Sequence, residues 1–119
     1  MGETPIAAIF GGIVEIYQEN FSSWEDVQNE YGTDESQPDE VLLAYYSYED
    51  YSGSSVVIYR RGEKYYYNQG GHCSCYGLEE QWNPEEFENE SLFLAYLEML
   101  NPYDCADQIK TIIKNLKGA

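Results

Sequence analysis

No lysine or arginine occurs before Arg60 in this chain of 119 residues. Twelve carboxylates precede it: Glu3, Glu15, Glu19, Glu25, Asp26, Glu30, Asp34, Glu35, Asp39, Glu40, Glu49 and Asp50. Over the whole chain 22 acidic residues face 6 basic ones, a formal charge of -16. Such a surface repels nucleic acid and anionic membranes and attracts cationic protein surfaces. Direct nucleic-acid binding and membrane association are therefore not expected, and a basic protein is the expected partner. Long apolar runs are missing as well, since none approaches the ~20 residues that a membrane helix needs. Residues 6–16 are apolar, but Glu3 and Glu15 bracket them without a positive flank, so they do not read as a secretory signal. A soluble, cytoplasmic protein is the expectation. Cysteine is scarce and odd in number, three residues, which suits a reducing compartment better than a disulfide framework. With one histidine, no glycine-rich phosphate loop and no helical pair of metal ligands, the usual catalytic constellations are missing. The chain reads as non-enzymatic and cofactor-free.

Tyrosine is what the chain has in excess, 13 residues against two tryptophans and four phenylalanines. The aromatic and aliphatic content is far above that of disordered acidic tails, so a folded chain is expected. Its length suits one domain, residues 1–119. Thr4-Pro5 resembles a helix opening, and Ile6, Ile9, Phe10, Ile13, Ile16 and Tyr17 recur at helical spacing, interrupted by Gly11-Gly12. A first helix is predicted there. Ser22 and Glu25 form a capping box for a second helix carrying Trp24, Val27 and Tyr31, which Gly32 ends. After a polar loop over residues 33–40, three antiparallel strands are predicted over residues 41–48, 54–60 and 63–68, with residues 70–77 as a fourth, short strand. Helix returns from residue 78, with Asn83 and Glu86 as a capping pair around Pro84, and again over residues 92–100 behind Ser91. Asp104 opens a last helix with Cys105, Ile109, Ile112, Ile113 and Leu116 on one face. The predicted fold is α+β, an antiparallel sheet of three or four strands with the N- and C-terminal helices packed on one face.

His72, Cys73 and Cys75 gather the single histidine and two of the three cysteines into four positions. Metal binding is one reading, with Cys105 or a carboxylate as a fourth ligand, although structural zinc pairs place two to four residues between their cysteines. Thiol chemistry is another, although neighbouring residues on a strand point to opposite faces. The third is a glycine-flanked strand whose thiols fill the core. Taken with Tyr48-Glu49-Asp50-Tyr51-Ser52-Gly53-Ser54, Glu63-Lys64-Tyr65-Tyr66 and Gln81-Trp82-Asn83-Pro84-Glu85-Glu86, the His72-Cys73-Ser74-Cys75-Tyr76-Gly77 segment resembles a group of small, uncharacterised proteins from bacteriophages and mobile elements. The resemblance covers residues 41–90 and implies a phage protein acting in a bacterial cytoplasm. It implies no mechanism.

Acidic pairs recur at Glu25-Asp26, Asp34-Glu35, Asp39-Glu40, Glu49-Asp50, Glu79-Glu80 and Glu85-Glu86, and tyrosines crowd residues 45–51 and 65–67. Tyr48 and Tyr51 beside Glu49 and Asp50 suit an arginine-rich partner, through stacking of guanidinium on rings and forks to carboxylates. Cross-strand aromatic pairs also stabilise a sheet by themselves, and acidic runs serve solubility. The expected partner-binding set is Glu25, Asp26, Tyr48, Glu49, Asp50, Tyr51, Glu79, Glu80, Glu85 and Glu86. The function expected is inhibition of a basic, nucleic-acid-binding host defence protein, of anti-CRISPR or anti-restriction type, by an acidic imitator of nucleic acid. The alternative is a small metal- or thiol-dependent protein using His72, Cys73 and Cys75.

Overall fold

A computed structural model describes residues 6–10, 13–49, 52–72, 77–100 and 105–118. Among these residues nine elements follow one another: β1 (Ile6–Phe10), β2 (Ile13–Glu19), α1 (Trp24–Tyr31), β3 (Glu40–Glu49), β4 (Ser52–Arg61), β5 (Lys64–His72), β6 (Glu85–Phe87), α2 (Glu90–Met99) and α3 (Ala106–Gly118). The class is α+β, but the sheet differs from the expectation. It has six strands in sequence order and is mixed, because β2 and β3 run parallel while every other neighbouring pair is antiparallel.

Two segments expected to be helical are strands. At the N-terminus Ile6 pairs with Tyr17 and Phe10 with Ile13, so β1 and β2 form a hairpin whose connection is Gly11-Gly12, outside the described residues. Isoleucine and valine are stiff at χ1 and fit a pleated strand, and a glycine pair between two such runs is a hairpin signal. The apolar spacing fitted helix and strand alike. At the second segment, Glu85, Glu86 and Phe87 add an edge strand opposite Tyr67, Tyr66 and Tyr65. The Asn83 amide donates to Asn68 Oδ1 (2.8 Å), which delivers the chain to that edge, and the following helix starts at Glu90 behind Asn89, whose side chain accepts from the Leu92 amide (2.9 Å). Glutamate's helical preference yields there to ladder bonds and to Phe87, whose ring lies 5.4 Å from that of Phe93.

Parallel pairing of β2 with β3 requires a crossover, and α1 is part of it. Ser23 rather than Ser22 caps α1, accepting from the Asp26 amide (3.3 Å), while Asp26 reaches back to the Ser22 amide (2.9 Å) and hydroxyl (2.8 Å). Gly32 ends the helix at φ 67°, a left-handed conformation that glycine adopts without steric cost.

Helices cover both faces of the sheet, not one. Val41, Ala44, Tyr46, Val57 and Tyr59 pack with Tyr17, Phe21 and Leu78 against Trp24, Val27 and Tyr31 of α1. Leu42, Leu43, Val56, Ile58, Tyr65 and Tyr67 pack instead with Phe93 and Leu97 of α2, Cys105, and Ile109 and Ile112 of α3. Alternation along the strands sends successive residues to opposite clusters. A bulge between Val41 and Leu43 places Leu42 and Leu43 together on the second face. Among the described residues Tyr46, Tyr65 and Tyr67 are buried by these helices, and β4 separates β3 from β5.

Candidate functional site: an acidic cleft beside an aromatic stack

The α1 side of the sheet carries a chain of rings. Tyr66 stacks on Tyr59 (centroids 4.8 Å apart), Tyr59 stacks on Trp82 (5.9 Å), and Trp82 meets Tyr31 (5.0 Å) and Trp24 (6.0 Å) edge-on. Alternation along β4 and β5 turns Tyr59 and Tyr66 to this side, while Trp82 arrives from the segment between β5 and β6. Burial holds the Tyr59 phenol well above its ordinary range, with the Glu35 charge adding to the effect.

Glu35 ties this region together. Its carboxylate accepts from Trp82 Nε1 (3.0 Å) and from Arg61 Nε (3.1 Å) and Nη2 (2.9 Å), and its carbonyl accepts from Trp24 Nε1 (2.8 Å) and Gln28 Nε2 (2.9 Å). Arg61 also donates to the carbonyls of Ser36 and Gln37, and its guanidinium lies 5.5 Å over the Tyr59 ring. The loop between α1 and β3 is thereby fastened to helix, sheet and both indoles. Both indole N–H groups have partners, the buried Trp24 and the half-buried Trp82 alike.

Next to this hub an open cleft of about 720 Å³ lies at the carboxyl end of α1. Gln28, Asn29 and Tyr31 line it from the last turns of the helix, and Gly32, Thr33 and Asp34 from the turn that follows. Glu80 and Trp82 form the other side. The lining contains two carboxylates and no cation. α1 carries no basic residue in its last turn, so the partial negative charge of its carboxyl end adds to Asp34 and Glu80. Glu80 adopts φ 68°, a left-handed conformation that costs a non-glycine residue roughly 1 kcal/mol.

A polar cluster lies beneath the cleft. Tyr31 donates its hydroxyl to Ser55 Oγ (2.7 Å), and Asn68, also buried, accepts from the Asn83 amide (2.8 Å). Burial raises the Tyr31 phenol to about 12 against the opposing effect of Ser55. Gln81 clamps the adjoining backbone: it accepts from the Gly71 amide (2.8 Å) and donates to the carbonyls of Gly71 (2.7 Å) and Gly77 (2.7 Å). A Cβ on Gly70 would stand 3.1 Å from both Gln81 Oε1 and the Tyr31 hydroxyl, which explains glycine there.

The residues singled out in the sequence are distributed over several places. Glu25 and Asp26 lie in the first turn of α1 and do not line the cleft, and Asp26 is engaged in capping. Glu79 is exposed beside Glu80, and among the described members of the set Glu80 alone lines the cleft. Glu85 and Glu86 lie exposed on β6, where Glu86 accepts from Lys64 (3.2 Å) and the Tyr66 hydroxyl (3.0 Å), contacts that lower its pKa. Tyr48 and Glu49 end β3, and Asp50 and Tyr51 lie outside the described residues. Of the cysteine segment, His72 ends β5, while Cys73 and Cys75 lie outside the described residues. Cys105 is buried at the start of α3, on the face opposite α1. Among the described residues no three of His, Cys, Asp and Glu are grouped to hold a metal ion. Asp34, Glu35, Arg61 and Trp82 were not in the expected set; the signal for them was the density of carboxylates around a turn that follows a capped helix, with a tryptophan brought in from afar. Among the described residues no helix is long and apolar enough to cross a membrane. No protein-family model, curated protein or solved structure matches the chain.

Proposed function

We propose that this chain is a non-enzymatic, phage-type acidic protein that acts in the bacterial cytoplasm by binding and inhibiting a basic, nucleic-acid-binding defence protein. The observation that supports this reading best is how the few cations are used. Arg60 pairs with Glu40 (3.1 Å), Arg61 with Glu35 (2.9 Å), Lys64 with Glu86 (3.2 Å) and Lys117 with Glu98 (2.7 Å). Four of the six basic residues thus neutralise single carboxylates locally, and Lys110 and Lys114 lie on α3, across the sheet from α1. The acidic groups around the α1 cleft are left to attract cations from outside. Imitation of nucleic acid follows from charge, since a basic groove that tracks phosphates also accepts a fixed array of carboxylates.

The test is equilibrium binding to purified basic, nucleic-acid-binding defence proteins of a bacterial host. Affinity is expected to fall steeply as salt rises from about 50 to about 500 mM, over which screening shortens severalfold. Duplex DNA or RNA should compete for the same surface. A complex insensitive to both salt and nucleic acid would sink the electrostatic reading.

A further inference from the structure

We propose that the cleft at the carboxyl end of α1 is an arginine-binding site, which accepts one guanidinium from the partner protein. This rests on the reading above and names the contact through which the partner is anchored.

Four features of the cleft converge on a planar cation. Asp34 and Glu80 supply two exposed carboxylates, and the carboxyl end of α1 supplies a partial negative charge with no basic residue to satisfy it. Trp82 supplies an aromatic ring whose position is fixed from three sides, by Tyr59 stacked on it, by the edge contact with Tyr31, and by the hydrogen bond from its indole to Glu35. Gln28 spends its amide N–H on the Glu35 carbonyl, which leaves Oε1 as an acceptor. Stacking on a ring and forking to carboxylates are properties of guanidinium; a lysine ammonium is a more strongly hydrated point charge with neither planar face nor fork.

The protein already holds one of its own arginines by this chemistry. Arg61 lies over Tyr59 while its Nε and Nη2 both donate to Glu35 Oε2. Trp82 joins the two places, since it stacks on Tyr59 and also lines the cleft. The cleft brings together the same kinds of group, an aromatic ring and carboxylates, without a basic residue among its lining.

The test uses the full chain with N-acetyl-argininamide and N-acetyl-lysinamide as probes, followed by the indole N–H resonance of Trp82, assigned with Trp82→Phe. The arginine analogue should shift that resonance and bind at least about tenfold more tightly than the lysine analogue. Asp34→Asn/Glu80→Gln, two exposed positions whose change leaves the core untouched, should weaken it about tenfold. Equal response to both analogues, an unshifted Trp82, or no loss in the double variant would overturn the site. If a basic protein still binds the double variant with full, salt-sensitive affinity, the cleft is not its anchor and only the broader reading survives. If the arginine analogue engages Trp82 but no basic protein binds, the site stands and the broader reading fails.

Discussion

The two faces of the sheet are built on different principles. On the α2 and α3 side the core is the more aliphatic, Leu42, Leu43, Val56, Ile58, Leu97, Ile109 and Ile112, with Tyr65, Tyr67 and Phe93 packed among them. Such contacts are non-directional, and each fully buried side chain contributes about 1.5–3 kcal/mol. On the α1 side the core is aromatic and threaded with polar contacts, from the two indoles on Glu35 to Tyr31 on Ser55. Each such hydrogen bond contributes a net ~0.5–1.5 kcal/mol but fixes orientation. Both faces bury a core, and the α1 face also sets the geometry of the cleft.

Removing Phe93 should have the largest effect. Its side chain is fully buried, stacks on Tyr65 at 4.9 Å and touches the β6 edge through Phe87. Phe93→Ala is expected to cost about 3–5 kcal/mol, read as a shift of the urea midpoint. A loss below about 1 kcal/mol would show that α2 adds little and would break the comparison. Alkaline pH tests whether the faces unfold together. Burial raises Tyr31 to about 12 on one face and Tyr65 and Tyr67 to about 12 on the other. Because the folded values exceed the ordinary value near 10, this stability is complete below about pH 10 and is lost as pH rises towards 12. For Tyr31 it amounts to on the order of 2 kcal/mol. Tyrosinate absorbance from the buried phenols and loss of far-ultraviolet circular dichroism should coincide in one transition; two separate transitions would mean that the faces are independent units.

The contrast also explains what could be read from the sequence. β3, β4, β5, α1 and α3 were legible because local signals agreed: β-branched and aromatic runs between turns, a serine cap with Gly32 behind it, and an apolar stripe ending in lysines. β1, β2 and β6 were not, because their assignment depends on neighbours. Ile6, Ile9, Ile13 and Ile16 fit a helix or a hairpin, and pairing across Gly11-Gly12 decided. Glu85 and Glu86 favour helix locally, and the free edge of β5 decided. The second covered face was hidden for the same reason, since it follows from a parallel β2–β3 pair that no periodicity announces. Of the cleft, Asp34 and Glu80 were legible as members of acidic pairs. Trp82 and Asp34, 48 positions apart, meet only through the fold.

The finest distinction between the faces lies in how paired substitutions combine. Tyr31→Phe removes a hydroxyl whose hydrogen bond to Ser55 is fully buried, and leaves Ser55 Oγ without that donor. Gly70 packs closely beside the hydroxyl, whose oxygen lies 3.1 Å from where a Cβ would stand, so no side chain fills the space that the oxygen leaves. An expected cost of about 1–2 kcal/mol follows from the stranded polar group more than from the lost bond. Ser55→Ala made in the same chain removes that group, so the double variant should recover part of the loss rather than add to it. On the aliphatic face no polar atom is stranded, and Leu97→Ala followed by Ile112→Ala should deepen the loss at each step. Urea denaturation of the single and double variants measures both cycles. Additive losses at Tyr31 and Ser55 would mean that the hydroxyl acts only as packing volume, and the two faces would then differ in composition but not in kind.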